Sequence, residues 1–284
     1  MPKRFSPMTV RSFTLVSLAA CSFAACSAMS LTLLAAEPAQ QDMQMQEPQR
    51  RDDSFKLPDG QAIHVDNPYG SVYLRFGGYE HQLDIRSTVQ QPDGAAVITF
   101  QPAARDGRFN VVPQLPEGVV LADGQRIDLV LYVPKAHPVM VRTVAGVIES
   151  RGVKSDIDLT TDSGDVAVRG TDGTVQARTG DGRIEVTLED RARSGSVQRL
   201  TSRTGGVTVN ISDKLDAEVR LSTSQQFSTD YSLTVVHRDG EEPNKIATAV
   251  VGAPKSGQDK AQLILESLVS EVRLQRKGVF VDPE

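Results

Sequence analysis

The chain has 284 residues, 22 of them glycine, with no tryptophan, two cysteines and a formal net charge of −5. This length suits one sizeable β domain or two small ones. A negative balance with no basic stripe and no interleaved aromatics argues against nucleic acid as a partner and reads as a solvated acidic surface.

Residues 1–12 are short and basic, with Lys3, Arg4 and Arg11 and no acid. Phe13 to Ala36 follow as 24 residues that are almost all apolar or small. Together, residues 1–36 read as an export signal. The apolar run is longer than a usual signal core, so a retained anchor stands beside cleavage as an alternative. Leu18-Ala19-Ala20-Cys21 resembles the bacterial lipobox, which would make Cys21 the lipidated first residue of the mature protein. Phe23-Ala24-Ala25-Cys26 is a poorer copy, and cleavage near Ala36 would remove both cysteines. One acyl chain anchors only weakly. The expected location is the periplasm or cell envelope, with membrane contact only through the signal or a lipid anchor. The rest of the chain lacks cysteine, so the fold has no disulfide and relies on its hydrophobic ladder.

Residues 37–55, rich in Gln, Met and charge, read as a disordered spacer. From 56 to 277 the sequence repeats one short phrase. Its first copy surrounds Gly70, with Ile63, Val65 and Asn67 before it and Val72 and Leu74 after it. The clearest copies centre on Gly146, Gly164, Gly182 and Gly205, spaced 18, 18 and 23 residues apart. Three positions before each glycine stands Thr143, Thr161, Thr179 or Ser202, and two positions after it Ile148, Val166, Ile184 or Val207. Gln198 is a polar exception at the seventh position before Gly205. A last copy, Leu263, Leu265, Ser267, Val272 and Leu274, has Ser270 in place of glycine. Val219, Leu221 and Thr223 form a half-copy that runs into an insertion and fails.

Alternating apolar residues on both sides of each glycine predict two half-buried strands joined by a corner. Stacked copies predict an all-β, β-solenoid-like pile of about six strand–corner–strand rungs. The glycine supplies either a positive φ or a close backbone approach. The Thr, Ser or Asn three residues earlier should point inward and bond to the turn or to the next rung. Two insertions, 77–138 and 222–260, read as antiparallel hairpins, with strands at 97–100, 127–133 and 232–237, and a tail covers 278–284. The first insertion would cap one open end, and the last rung, 261–276, would close the domain. Seven Asp-Gly pairs, beginning at Asp59, Asp93, Asp106, Asp123, Asp172, Asp181 and Asp239, read as tight hairpin turns.

The motif Asn67-Pro68-Tyr69-Gly70-Ser71-Val72, the strand Leu131-Tyr132-Val133-Pro134, and the Thr-x-x-Gly-x-Val/Ile units starting at Thr143, Thr161 and Thr179 resemble the bacterial putative-adhesin family of β-strand-repeat domains. The resemblance covers about residues 58 to 276. It implies an exported or surface-associated bacterial protein with a β-solenoid-like fold and no established catalytic residues.

The chemistry-bearing residues form no known motif. His64, His81, His137 and His237 have no metal spacing, and His64 should face solvent. Asp156, Asp158, Asp162, Asp165, Asp181 and Glu185 are interspersed with Lys154, Arg169, Arg178 and Arg183, which reads as a mixed solvated face. No catalytic, cofactor-binding or metal-ligating residue is assigned, and no cofactor is expected. The favoured function is a non-catalytic envelope protein whose β-repeat surface serves adhesion, scaffolding or envelope sensing, with a protein or glycan partner. The alternative is a polysaccharide-acting lyase or hydrolase on a β-helix scaffold. Envelope fractionation of cells producing the full chain is expected to find it outside the cytoplasm. Mass spectrometry of its N-terminus then distinguishes an acylated start at Cys21 from cleavage near Glu37.

Overall fold

In a computed structural model, the described residues are 44–189, 193–252 and 259–278. They are all β and loop, with 23 strands and no helix among them. The order begins with β1 (Gln49–Lys56), β2 (Ala62–Asn67), β3 (Val72–Phe76) and β4 (Gln82–Gln90). Four short strands follow: β5 (Thr99–Phe100), β6 (Ala103–Arg105), β7 (Arg108–Val111) and β8 (Pro113–Gln114). After β9 (Arg126–Val133) come four pairs: β10 (Val139–Thr143) and β11 (Ile148–Arg151), β12 (Ile157–Thr161) and β13 (Val166–Thr171), β14 (Val175–Thr179) and β15 (Ile184–Leu188), β16 (Val197–Ser202) and β17 (Val207–Ile211). The chain ends through β18 (Ala217–Thr223), β19 (Phe227–Thr229), β20 (Thr234–His237), β21 (Lys245–Val251), β22 (Ala261–Ser267) and β23 (Val272–Arg276).

These strands form two mixed sheets of ten and eleven strands and a two-stranded β5–β8 ribbon. Each repeat copy gives its first strand to the eleven-stranded sheet and its second to the ten-stranded one. The repeats pair in parallel and in the register that the sequence alignment predicts. Val65, Val141, Leu159, Ala177, Leu200, Leu265 and Leu221 are successive partners across one sheet. Val72, Ile148, Val166, Ile184, Val207, Val272 and Phe227 are successive partners across the other. All but Phe227 are buried, and Phe227 packs against them at the margin. Burying such an aliphatic side chain contributes about 1.5–3 kcal/mol each, and the column supplies the cohesion that disulfides give in smaller exported folds.

The aligned glycines neighbour one another in adjacent layers. A Cβ added at Gly146 would overlap the carbonyl oxygen of Gly70, and one at Gly164 that of Gly146. The same holds for Gly182 over Gly164 and Gly205 over Gly182. None of these corner glycines has a positive φ, so close approach is the reason for glycine here. The polar residue before each corner ties the same oxygens. Thr179 donates to Gly164 O at 2.9 Å, Ser202 to Gly182 O at 2.7 Å and Ser267 to Gly205 O at 2.8 Å. Asn67 Nδ2 makes the equivalent bond to Ile127 O at 2.8 Å.

Several expectations are corrected. Residues 49–56, expected to lie mostly in the disordered spacer 37–55, form β1, which pairs antiparallel with β4. Phe55 packs on the core and tilts against Phe109, which ties that end down. The first insertion is not purely antiparallel: β7 pairs in parallel with β2 and β9 with β3. Together they make a further layer whose two strands are separated by residues 112–125 instead of a four-residue corner. The half-copy at Val219 does not fail. β18 runs parallel to β22 in template register, and β19 continues it beside β23. The last copy is therefore not terminal. β21 covers the outer edge of β18 and leaves its inner edge open, and β22 enters between β16 and β18. The strand expected at 97–100 shortens to Thr99–Phe100, and that at 232–237 to Thr234–His237.

Both irregular rungs keep register. Gln198 points inward and its Oε1 accepts the backbone N–H of Val175, one residue before the β14–β16 ladder begins at Gln176 and Arg199. Ser270 N–H donates to Ser267 Oγ at 3.1 Å. Ser150 is fully buried where the neighbouring layers hold Leu74 and Val168, and its hydroxyl lacks a partner.

Gly182→Ala is expected to lower the stability read from urea unfolding by more than about 2 kcal/mol, since two layers must part. Gly278→Ala, with open space around it, should stay within about 0.5 kcal/mol. Replacing Ser150 by the template valine should raise stability by about 1 kcal/mol, because a buried hydroxyl without a partner disappears.

Candidate interaction faces

Alternation sends every second residue of each strand outward, and parallel register stacks these residues in rows. On the ten-stranded sheet Tyr132, Arg75, Arg151 and Arg169 are successive partners. The adjoining row carries Tyr73, Glu149, Ala167 and Glu185. Like charges placed opposite one another destabilise a sheet, and here the second row neutralises the first. Glu149 binds Arg75 at 3.0 Å and also holds Arg151, while Arg169 meets Glu185 at 3.5 Å. Arg273 and Arg86 are likewise matched, by Glu271 at 2.6 Å and Asp52 at 2.8 Å. A polar groove of about 720 Å³ crosses this face, lined by Asp165, Arg183, Glu185, Thr208, Asn210 and Arg273 among others.

The eleven-stranded sheet is built differently. Arg142, Thr160, Arg178 and Thr201 are successive outward partners across β10, β12, β14 and β16. Gln176, Arg199, Ile264 and Arg220 continue the adjoining row across β14, β16, β22 and β18. Arginines two strands apart in one row lie roughly 10 Å apart, twice the strand spacing. Among the described residues none of Arg142, Arg178, Arg199 and Arg220 has an ion-pair or hydrogen-bond partner. Asp158, Glu218 and Glu266 share the face without reaching them. A cleft of about 520 Å³ opens between this face and the β20–β21 turn, lined by Arg199, Arg220, Arg238, Glu241, Glu242 and Glu266 among others. Within it Arg238 holds Glu241 at 2.9 Å.

The acids picked out in the sequence are mostly engaged. Asp156 pairs with Arg193 at 3.0 Å, Asp165 with Arg183 at 3.7 Å and Asp181 with Arg203 at 2.8 Å. Lys154 meets Asp172 at 3.2 Å. Burial pushes the Asp156 carboxyl up, but the Thr174 N–H and Arg193 outweigh it and hold it below the usual range. Its stabilising effect is therefore present at neutral pH and is lost as pH falls through that lowered value. Tyr231, pushed up to about 12 by burial and by Asp213, packs under Arg276 at the end of the array. Asp158 lies with His64, Met140 and Asp156 around a shallow pocket of about 230 Å³.

The histidines do not converge on a metal site. His64 is half-buried, with its Nδ1 3.2 Å from Asn110, and so is less open to solvent than its strand phase implies. His137 is buried against Gln61 O at 2.9 Å, and His81 sits 3.0 Å from Asp59. Among the described residues no group of three or more His, Cys, Asp or Glu side chains could hold a metal ion. No helix among them is long and apolar enough to cross a membrane. Cys21, the lipidation candidate, lies outside the described residues.

Sequence reasoning named Arg178 but not Arg142, Arg199 and Arg220. Their strand phase showed that they face outward, but not that they lack a carboxylate within reach.

No family model and no curated protein matches the chain. Among solved structures it is similar to a putative cell adhesion protein from Clostridium sporogenes, at 9% identity and a TM-score of 0.49, with 81% of this chain and 100% of that one covered. It is also similar to a putative adhesin from Bacteroides fragilis, at 11% identity and a TM-score of 0.41, covering 80% and 97%. A third similar structure is a putative lipid binding protein from Parabacteroides distasonis, at 9% identity and a TM-score of 0.29, covering 80% and 96%. Two of these three structures are putative adhesion proteins.

Proposed function

We propose that the chain is an exported, non-catalytic envelope protein in which a β-solenoid-like stack presents a flat face to an anionic glycan. The observation that carries this reading is the contrast between the two faces. One neutralises its arginines internally, and the other leaves Arg142, Arg178, Arg199 and Arg220 without partners in a chain of net negative charge. Guanidinium groups are suited to carboxylates and sulfates, which they bind in bidentate fashion. Thr160, Thr201 and Gln176 between them offer hydrogen bonds to sugar hydroxyls. The export signal and the family resemblance support a place in the envelope, where glycans are abundant. Adhesion, scaffolding and envelope sensing all draw on such a face. The lyase or hydrolase reading gains nothing from the rung acids, since most of them are held by arginines.

The test is binding of the purified chain to carboxylated, sulfated and neutral polysaccharides. Acidic glycans are expected to bind and neutral ones not. Arg178→Ser with Arg199→Ser and Arg220→Ser should weaken binding roughly tenfold or more, about 1.4 kcal/mol. Arg75→Ser with Arg151→Ser, on the paired face, should change it less than about twofold. Equal loss from both variants, or equal binding of DNA, would replace glycan recognition by general attraction to polyanions.

A further inference from the structure

The two large sheets leave four outer edges, and an exposed edge strand is a template for pairing with another chain. Three of the four are guarded. β1 carries Arg50, Arg51, Asp52, Asp53 and Lys56. β6 and β19 have three residues each, and β6 ends in Arg105. The fourth edge, β20, is different. Its residues Thr234, Val235, Val236 and His237 are all exposed, with Val236 55% accessible. The run Ser232–His237 holds no acid, lysine, arginine, proline or glycine. Among the described residues β20 pairs only with β21.

We propose that β20 is the interface of a closed homodimer, formed when two copies of this strand pair antiparallel about a two-fold axis at Val236. The backbone phase supports this register. Arg238 N–H bonds Asn244 O at 2.8 Å, and β20 pairs with β21 so that Val236 faces Ile246 and Thr234 faces Thr248. Hydrogen-bonded pairs alternate along an antiparallel ladder. The N–H and C=O groups of Val236 and Thr234 are thus used within the sheet, and those of Val235 and His237 point to the free edge. Across the dyad, Val235 of one copy and His237 of the other would exchange both backbone bonds, and the reverse pair would do the same. Val236 would face its own copy in a non-hydrogen-bonded pair, where side chains come closest. A strand without fixed charge can meet itself in this way without like-charge opposition. Because the other three edges are guarded, the pairing closes at two copies instead of propagating into a fibre.

Sedimentation of the full chain is expected to show a concentration-dependent dimer. Val235→Pro removes only a donor that points to the free edge, which edge strands tolerate, and should yield a monomer with an unchanged circular dichroism spectrum. Val236→Lys places two charges face to face and should do the same. In a Cys21→Ser, Cys26→Ser background, Val236→Cys should give a disulfide-linked dimer on mild oxidation. Thr234→Cys, which would face Arg238 of the other copy, should not. A wild-type monomer at the highest soluble concentration, open-ended filaments, a dimer indifferent to Val235→Pro, or cross-linking of Val236→Cys to a different protein would each overturn the proposal.

Discussion

The structure depends on how closely one corner sits on the next. At Gly146, Gly164, Gly182 and Gly205 the carbonyl oxygen of the layer below occupies the space that any other side chain would need. That contact sets the layer spacing and aligns both strands of every copy. It also places the oxygens where Thr179, Ser202 and Ser267 can reach them. The buried aliphatic columns then follow from register. Hydrophobic burial supplies the driving force, but it is directionless. The glycine contact and the hydroxyl ladder convert it into one specific pairing.

A stack with fixed register has a consequence for its surface. Outward side chains recur at the strand spacing, so charges of one sign line up unless the sequence intervenes. On the ten-stranded sheet it does, through Glu149 and Glu185 beside Arg75, Arg151 and Arg169. On the eleven-stranded sheet threonines and Ile264 separate the arginines, which lowers repulsion without neutralising them. One face neutralises its arginines, and the other leaves four of them without an ion-pair partner among the described residues. Surface ion pairs add little stability in water, so the contrast bears more on recognition than on folding.

The array also has to end. Phe109 and Phe55 close the core on the side of β7, and Phe227 and Tyr231 close it on the side of β19. Charge and short length protect three sheet edges, while β20 leaves the fourth one plain. An undefended edge is where the proposed pairing between molecules would form.

Much of this architecture was legible in the sequence. The apolar alternation, the glycines and the polar residue before each corner are local features, and they predicted which positions of the copies align, from Val65 to Leu265. The inward Gln198 appeared only as an exception, because its role depends on the N–H of Val175, 23 residues earlier. Composition also misled. The charged 49–55 segment reads as disordered, yet an available edge on β4 made it a strand. Asp-Gly reads as a hairpin turn, yet Gly173 and Gly182 have no positive φ and sit at stacked corners. The sequence by itself determined which residues face inward and how the copies align, since both follow from the two-residue period of a strand. Only the tertiary structure decided the order of the layers, with the last copy inserted beside β18, and which arginines remain unpaired. Both depend on which strand edges and carboxylates come within reach in space, and local periodicity carries no information about that.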